Sequence, residues 1–477
     1  MDTKQVGYFS ASRRDFLRGS LLTAGAFALG GCATFSSTPK PRVRKPGEKL
    51  NLAGIGCGGK GDSDIAEMMK AGMNVLALCD VDEVSLNKKA AQVRKENNPD
   101  VRLYRDFREM LAKEPLIDAC TISTPDHMHA PAASMAMQLG KHVYVQKPLT
   151  HTMWEARRLR ELARKTRVVT QMGNQGSATN ELRRGVEVIQ AGVIGHVQEV
   201  HVWTNRPVWP QGVERPTQAE TIPATLDWNL WLGVAPERPY AKCYQPFAWR
   251  GWYDFGTGAL GDMACHTCNL PFRALNLGYA TEVEAVTEGA TAESFPKHAK
   301  ISFLFPARPN PAKPGELLPP VKFFWYEGGW KPGAELIQDV TALRGETPIA
   351  GCYFIGEKGR LYSSGDYGDG NFMRLNDEPK LRSVLKHEVC LPVPETIPRS
   401  KGGNYKEWAD ACAANTPDVP YSRFEIAAYL TEIILVGCIA LRLPGKKIQW
   451  DGPNMRSPNT PEAARFVNPP YRTGWKV

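Results

Sequence analysis

The sequence lacks the pattern of a nucleic-acid-binding protein. No run of basic residues is interleaved with aromatic residues, and a formal net charge of +9 is small for 477 residues. The segment 40–49, rich in lysine, arginine and proline, is typical of a solvated tether. We therefore expect no nucleic-acid partner.

Cysteine is also scarce. The 11 cysteines show no disulfide framework. Cys57, Cys79 and Cys120 lie in or beside apolar, strand-like runs, where small buried thiols are common. Cys265 and Cys268 form a C-x-x-C pair, but no second pair accompanies them at the spacing of a zinc site. The sequence therefore predicts no metal site.

The N-terminal residues carry a targeting pattern. Residues 12–18 read S-R-R-D-F-L-R, which is typical of twin-arginine export, and the apolar stretch 21–31 follows. This stretch is shorter than the roughly 20 residues that span a bilayer, so it predicts a removable leader. Residues 29–32 read L-G-G-C and resemble a lipobox, which predicts lipid attachment at Cys32. The alternative is ordinary cleavage nearby, with Cys32 incidental.

These features predict a periplasmic protein, exported by the twin-arginine machinery and held at a membrane only through a lipid on Cys32. Twin-arginine export moves folded proteins, so any cofactor would have to be acquired, and bound tightly, before export. We predict four segments: a signal over residues 1–32, a linker over 33–48, a first domain over 49–173 and a second domain, for substrate binding and oligomerisation, over 174–477.

Apolar runs and amphipathic helices alternate over the first predicted domain, residues 49–173. The predicted strands are 50–55, 75–78, 117–122, 142–145 and 168–172, and the predicted helices are 63–71, 84–95, 130–139 and 154–165. This order predicts an α/β domain with a doubly wound parallel sheet, the Rossmann fold.

The pattern changes after residue 174. We predict helices over 181–191, 405–413 and 424–441, strands over 197–204, 301–305, 321–326 and 352–355, and a proline-rich loop over 306–320. The strand 197–204 alternates between apolar and polar residues, as a strand with one exposed face does. This half is predicted to be an α+β domain with an open-faced, largely antiparallel sheet.

A glycine-rich turn follows the first predicted strand. Gly54, Gly56 and Gly59 have the spacing G-x-G-x-x-G, which lets the backbone turn tightly and approach a pyrophosphate at a helix N-terminus. Asp80, at the end of the second strand, can accept hydrogen bonds from both hydroxyls of the adenosine ribose. Its charge would repel a 2′-phosphate, so the sequence favours NAD over NADP.

Four further segments give these motifs a family context: I-S-T-P-D-H-M-H at 122–129, Q-K-P-L at 146–149, Q-M-G-N-Q at 171–175 and G-D-M-A-C-H at 261–266. Together with the glycine turn they resemble the glucose-fructose oxidoreductase, inositol dehydrogenase and MocA (Gfo/Idh/MocA) family. The resemblance extends from about residue 51 to the C-terminus. It implies a substrate held between the two domains, over the nicotinamide, and an oligomer.

The resemblance also assigns residues. The lysine of the family's E-K-P motif corresponds to Lys147, and its D-x-x-x-H pair to Asp262 and His266. The remaining cofactor-binding residues that we predict are Thr124, Pro125, His129, Gln146 and Gln175. Two departures stand out, because Gln146 replaces a glutamate and Asp126 replaces a common asparagine. A neutral Gln146 could change how Lys147 is charged and oriented.

These residues suit the oxidation of a secondary hydroxyl in a sugar or cyclitol. His266, with an ordinary pKa near 6.5, would take the proton, Lys147 would favour the developing alkoxide, and Asp262 would orient His266. Half of the 12 tryptophans lie between residues 203 and 252, and Arg250, Trp252 and Tyr253 are predicted to contact substrate. Two alternatives stay open: glycoside cleavage through transient oxidation by bound NAD, and a non-catalytic sugar-binding lipoprotein.

Overall fold

The computed structural model describes residues 39–311 and 313–477. The twin-arginine pattern, the apolar stretch 21–31, Cys32 and the first residues of the predicted linker lie outside the described residues. The part of the linker that is described packs against the nucleotide-binding domain rather than standing free as a tether. Arg42 donates hydrogen bonds of 2.9 Å from Nε and Nη2 to the two carboxylate oxygens of Asp118.

The first domain is built on a parallel sheet of six strands in the order β3-β2-β1-β4-β5-β6. Its strands are β1 (Asn51–Ile55), β2 (Asn74–Cys79), β3 (Arg102–Tyr104), β4 (Ala119–Ile122), β5 (His142–Val145) and β6 (Thr170–Met172). The connecting helices are α1 (Gly59–Lys70), α2 (Glu83–Glu96), α3 (Phe107–Lys113), α4 (His129–Gln138) and α5 (Met153–Thr166). The predicted Rossmann sheet is thus confirmed.

The sequence did not predict β3 and α3. Strand β3 has only three residues, and its side chains are exposed or half-buried because it lies at the edge of the sheet. A strand this short cannot display the alternation that identifies longer strands.

The second domain contains a sheet of nine strands in the order β16-β15-β14-β13-β7-β12-β9-β8-β17. Only the β7–β12 pair is parallel, so the predicted largely antiparallel sheet is confirmed. These strands are β7 (Val197–Trp203), β8 (Glu282–Glu288), β9 (His298–Phe305), β12 (Val321–Glu327), β13 (Gly351–Gly356), β14 (Gly359–Ser363), β15 (Asn371–Leu375), β16 (Arg382–Ser383) and β17 (Ile448–Gln449). The predicted loop 306–320 contains a small hairpin of β10 (Arg308–Pro309) and β11 (Leu317–Leu318).

Helices complete this domain and join it to the first. They are α6 (Asn180–Gln190), α7 (Trp228–Leu232), α8 (Gly258–Thr267), α9 (Asn269–Ala274), α10 (Gln338–Arg344), α11 (Gly403–Ala414), α12 (Phe424–Leu441) and α13 (Ala464–Val467). Helix α12 packs against both α5 and α8, so it holds the helix that carries Asp262 and His266 against the first domain. Among the described helices, α12 alone is long and apolar enough to cross a membrane, and 83% of it is buried within the fold, as a core helix is.

Candidate active site

The candidate site begins where the parallel strands of the first domain end. In a parallel sheet the carboxyl ends of all strands meet at one edge, and ligands of such sheets bind there. The turns after β1, β4 and β5 supply Gly56, Thr124 and Lys147 to this edge. The sequence motifs of the first domain are therefore brought together by the order of the strands.

The glycine turn uses a different set of glycines from the one predicted. Gly54 lies inside β1, where an added Cβ would be 2.6 Å from Ile65 Cδ1, so its role is core packing. Gly56 has φ +85°, and a Cβ there would lie 2.6 Å from the carbonyl oxygen of Ser123. An added Cβ at Gly61 would overlap the carbonyl oxygen of Gly56. Gly56, Gly58 and Gly61 thus form the tight turn and the close helix–strand contact. They have the same G-x-G-x-x-G spacing as the predicted glycines, shifted by two residues.

The loop fits a pyrophosphate. Gly58 is the N-cap of α1, and no side chain caps the first backbone N–H groups of this helix. Gly59 is exposed, with no described atom within 4 Å of the position that its Cβ would occupy. Free N–H donors at a helix N-terminus with open space before them suit a phosphate group.

Asp80 lies at the end of β2, as predicted. Its carboxylate accepts hydrogen bonds from the backbone N–H of Cys57 at 2.7 Å and of Asp82 at 2.9 Å, so it braces the glycine turn. Each oxygen retains a lone pair, and the residue is partly exposed. Asp80 can therefore still accept the ribose hydroxyls of a dinucleotide.

Lys147 and Asp262 form the centre of the candidate site. Lys147 Nζ is 2.6 Å from Asp262 Oδ1 and 3.0 Å from the Asp262 carbonyl oxygen. Burial opposes ionisation of Asp262, but Lys147 and Arg250 outweigh it and hold the pKa of this carboxyl at about 2. The carboxylate is therefore charged at neutral pH, and 18% of the Lys147 side chain is exposed to a ligand.

His266 lies one turn after Asp262 on α8 and is buried. No hydrogen bond joins the two side chains, because the Asp262 carboxylate is directed to Lys147 and Arg250 instead. Burial and the nearby Lys147 ammonium place the pKa of His266 well below its ordinary value, which corrects the expected pKa near 6.5. The imidazole is neutral at pH 7, and among the described residues its Nδ1 has no hydrogen-bond partner.

Arg250 is the predicted substrate residue that reaches this cluster. Its Nε lies 3.1 Å from Asp262 Oδ1, and its Nη1 lies 2.9 Å from Asp126 Oδ1. The other oxygen of the fully buried Asp126 accepts hydrogen bonds from the backbone N–H and the hydroxyl of Thr257. The departure from the common asparagine therefore has a physical reason, because a carboxylate at 126 balances the buried guanidinium.

The second departure, Gln146, has a comparable explanation. Gln146 Nε2 donates a hydrogen bond of 2.8 Å to Asp64 Oδ2. Asp64, on α1, is fully buried and also accepts hydrogen bonds from the hydroxyls of Ser123 and Tyr405 and pairs with Lys60. A glutamate at 146 would place a second carboxylate against Asp64. The buried Asp64 therefore favours an amide at position 146, and the counter-ion of Lys147 is Asp262.

The other predicted cofactor residues occupy two kinds of position. Thr124, Pro125 and Gln175 are half-exposed at the edge of the sheet, and the buried Oε1 of Gln175 has no partner among the described residues. His129 is buried, with Nδ1 2.8 Å from the carbonyl oxygen of Pro148 and Nε2 2.9 Å from that of Thr124. It therefore joins the turn after β4 to the turn after β5 rather than facing a ligand.

Trp252 and Tyr253 do not join the Lys147 cluster. Trp252 is 2% exposed and packs against Tyr244, and Tyr253 is 6% exposed and packs against Phe295 at a ring-centroid distance of 4.5 Å. They follow Arg250 closely in the sequence, but their side chains pack against Tyr244 and Phe295 and lie outside the Lys147 cluster.

The glycine-rich loop between β14 and β15 adds residues that the sequence analysis missed. Tyr367, which is 42% exposed, places its ring edge-on to His266 at a centroid distance of 4.9 Å. Burial raises the pKa of the neighbouring Asp366, while Arg206 opposes the rise. The Nε atom of Arg206 lies 4.0 Å from Asp262 Oδ2. The glycines in S-S-G-D-Y-G-D-G, residues 363–370, were the available signal for this loop.

Two cysteines lie close to the site in the sequence. Cys265 and Cys268 are buried and form no disulfide, and Cys265 Sγ lies 3.3 Å from the Asp262 carbonyl oxygen. The described residues contain no cluster of three or more histidine, cysteine or acidic side chains that could hold a metal ion.

A two-domain scaffold with a dinucleotide loop and a buried lysine–aspartate pair beside a neutral histidine defines a class of nucleotide-dependent oxidoreductase. Residues 50–174 match the model of the Gfo/Idh/MocA oxidoreductase family, NAD-binding Rossmann fold, and residues 183–276 match the model of its C-terminal alpha/beta domain. Residues 50–174 therefore form an NAD-binding Rossmann domain of the Gfo/Idh/MocA type, and residues 183–276 match the C-terminal domain of the same oxidoreductase family.

Similar proteins include Glycosyl hydrolase family 109 protein 1 of Shewanella sp. (strain ANA-3), which is 31% identical over 203 residues. The match covers 39% of this chain and 44% of that relative, so the chain spans less than half the length of the curated relative.

Solved structures share the fold. A WlbA dehydrogenase from Bordetella pertussis, in complex with NADH and UDP-GlcNAcA, has a TM-score of 0.56 at 16% identity, over 84% of this chain and 98% of its own. An inositol dehydrogenase homolog from Azotobacter vinelandii, complexed with NADH and myo-inositol, has a TM-score of 0.55 at 14% identity, over 85% and 98%.

Proposed function

We propose that this protein is an NAD-dependent oxidoreductase that acts on a secondary hydroxyl of a sugar or cyclitol. The observation that carries the proposal is the position of Lys147, beside Asp262 and the neutral His266, at the edge of the sheet where the glycine turn lies. The two similar structures were solved with NADH and either a cyclitol or a nucleotide sugar, which supports this substrate class.

A bound nicotinamide would supply the hydride acceptor, and the residues of the site supply the rest. The neutral imidazole of His266 takes the proton of the substrate hydroxyl. The Lys147 ammonium stabilises the negative charge that develops on the substrate oxygen, and Asp262 fixes the position of that ammonium. Arg250 and Tyr367 lie on two sides of this cluster and are positioned to contact other hydroxyls of the substrate.

The test is a substrate screen with the purified chain. Sugars, sugar acids and cyclitols are offered with NAD, and both NADH absorbance and oxidised product are measured. The proposal requires product from at least one compound, together with loss of that product in a Lys147→Met variant that still binds NAD. Sugar binding without any oxidation or cleavage would instead favour the non-catalytic sugar-binding lipoprotein.

A second candidate function is glycoside cleavage by transient oxidation of the sugar. It is supported by sequence similarity, over 203 and 202 residues of this chain, to two proteins named as Glycosyl hydrolase family 109 members. In this reaction the sugar is oxidised, the aglycone is eliminated, water adds to the unsaturated ketone, and the hydride returns from NADH to the carbonyl, so NADH does not accumulate. Assays with p-nitrophenyl glycosides separate the two candidates, because nitrophenol without net NADH indicates cleavage, and NADH with an intact glycoside indicates dehydrogenation.

We further propose that the protein is a homo-oligomer exported by the twin-arginine machinery to the periplasm, carrying tightly bound NAD and anchored through Cys32. The motif S-R-R-D-F-L-R and the L-G-G-C segment support this location. Replacing both Arg13 and Arg14 by lysine should retain the protein in the cytoplasm, whereas Cys32→Ser should release it from the membrane fraction. Unchanged fractionation of either variant would contradict the corresponding part of the proposal.

A further inference from the structure

A cavity of about 640 Å³ lies apart from the Lys147 cluster. Its walls come from the segment that follows β5, from the region around Tyr253 and from the C-terminal part of the chain after α12. Neither Lys147 nor Asp262 lines it. Its size is within the range of sites that bind small organic molecules.

Two arginines in this cavity are stacked on aromatic rings. The guanidinium carbon of Arg442 lies 4.3 Å from the ring centroid of Tyr253 and 4.1 Å from that of Phe466. The guanidinium carbon of Arg465 lies 4.5 Å from the same Phe466 ring. Two positive charges are thus held beside one aromatic side chain, where they repel each other.

Neither guanidinium has an acidic partner. Within residues 39–311 and 313–477, the side chains of Arg442 and Arg465 form no hydrogen bond and no ion pair. Asp254, which lines the cavity, pairs with Arg238, and Glu462 pairs with Lys446. Burial lowers the pKa of Arg442, so its charge is held there at a cost in free energy. An anion in the cavity would relieve the repulsion between the two guanidinium groups and accept hydrogen bonds from both.

The remaining walls are partly polar, through His151, Thr152, Asp254, Thr291 and Tyr471, and partly apolar, through Pro444, Pro469, Pro470, Ala290 and Ala292. The apolar side chains offer no hydrogen-bonding groups, so an inorganic ion alone would leave that part of the surface in contact with water.

We propose that this cavity binds a small organic oxyanion, a carboxylate or phosphate ester attached to an apolar ring, through Arg442 and Arg465. A planar guanidinium can donate two parallel hydrogen bonds to such a group. The inference goes beyond the proposed redox function and does not depend on it, because the cavity shares none of the proton-transfer residues.

Isothermal titration of the full chain, with NAD present at saturation to occupy the pyrophosphate loop, tests the proposal. The probes are phenyl phosphate, benzoate and inorganic phosphate. We expect saturable binding of phenyl phosphate or benzoate, at least tenfold weaker binding in Arg442→Gln and in Arg465→Gln, and unchanged binding in Arg94→Gln. Arg94 is the matched control, because it is exposed and has no ion pair or hydrogen bond among the described residues.

Preference for phenyl phosphate would assign the site to phosphate esters, and preference for benzoate would assign it to carboxylates. Absence of saturable binding of both by the unmodified chain would overturn the proposal, as would equal affinities of the two arginine variants and the unmodified chain. Inorganic phosphate that binds as tightly as phenyl phosphate would overturn the role of the apolar wall. Should Arg442→Gln fail to fold, the exposed Arg465 provides the decisive variant.

Discussion

His266 is the residue on which the proposed proton transfer depends. It is buried, neutral and unpaired at Nδ1 among the described residues, and its ring packs against that of Tyr367. Its replacement by alanine should reduce turnover by about 10² to 10⁴, the usual contribution of a general base. NAD affinity should change little, because the glycine turn and Asp80 are on the other domain.

The measurement is a comparison of kcat and of the Kd for NAD between His266→Ala and the unmodified chain. His196→Ala is the matched control, since His196 is exposed at the protein surface. Near-normal turnover in the His266 variant would show that another group takes the proton.

Gln146 offers a test of the buried network behind the site. Gln146→Glu would place a carboxylate in hydrogen-bonding distance of Asp64, which is fully buried. We expect the free energy of unfolding of the variant to be about 1–3 kcal/mol lower than that of the unmodified chain at pH 7. This difference should be smaller at pH 5, because protonation of one carboxyl restores a hydrogen-bond donor.

Thermal unfolding at the two pH values measures this effect. Gln138→Glu, at an exposed position on α4, adds the same charge and should leave the unfolding midpoint nearly unchanged. Equal stability of the two variants would contradict the role assigned to Asp64.

At this scale the sequence predicted the residues that stand in compact motifs. Lys147, Asp262 and His266 could be found because each lies in a short segment with a recognisable order. Arg206, Asp366 and Tyr367 could not, because they reach the site from separate loops of the second domain and no local pattern links them to α8. The pKa of His266 also escaped prediction, since it is set by the burial and charges that only the folded chain brings together.

The glycine turn is the element whose conformation decides dinucleotide binding. Gly61→Ala would bring a Cβ against the Gly56 carbonyl and should abolish NAD binding, whereas Gly59→Ala meets no described atom and carries only the strain of φ +50°. We expect Gly59→Ala to retain NAD affinity within about tenfold, given a strain of roughly 1 kcal/mol. Titration with NAD checks both variants, and equal losses would contradict the assignment of Gly61 to the close helix–strand contact.

Most regular elements could be predicted because their hydrophobic periods are clear. Helix α12 is predominantly apolar, with Glu425 and Glu432 as its charged residues, and the parallel strands are short apolar runs. The glycine register was ambiguous because five glycines lie between residues 54 and 61 and two sets share one spacing. The end of β1 at Ile55 resolves it, and the sequence alone did not locate that end relative to the turn.

The folded molecule as a whole should lose stability as the pH falls below about 6.5. Burial lowers the pKa of His127 and of His142 to about 4 in the folded state, while both titrate near 6.5 when unfolded. Between these values the unfolded chain binds more protons than the folded chain, so the free energy of unfolding decreases with decreasing pH. Each histidine contributes up to roughly 3 kcal/mol to this loss.

Thermal midpoints measured from pH 7 to pH 4 test this expectation. His127→Gln should show a shallower decline than the unmodified chain, and the control His196→Gln, at an exposed site, should show the same decline. Identical slopes in all three proteins would contradict the assignment of buried neutral histidines.

The division into a Rossmann domain and a mixed-sheet domain could be predicted from the change in hydrophobic period after residue 174. The packing of the C-terminal helices back onto the first domain could not, because Tyr405 meets Asp64, and Glu432 meets Arg157, across more than 250 positions of sequence. Contacts of this range leave no local pattern.

The central claim, that this molecule carries out its chemistry with a dinucleotide held at the glycine turn, is tested most directly by mass spectrometry of the small molecules released when the purified chain is denatured. We predict NAD or NADH in near-stoichiometric amount. No released dinucleotide, together with no measurable binding of added NAD, would contradict the account.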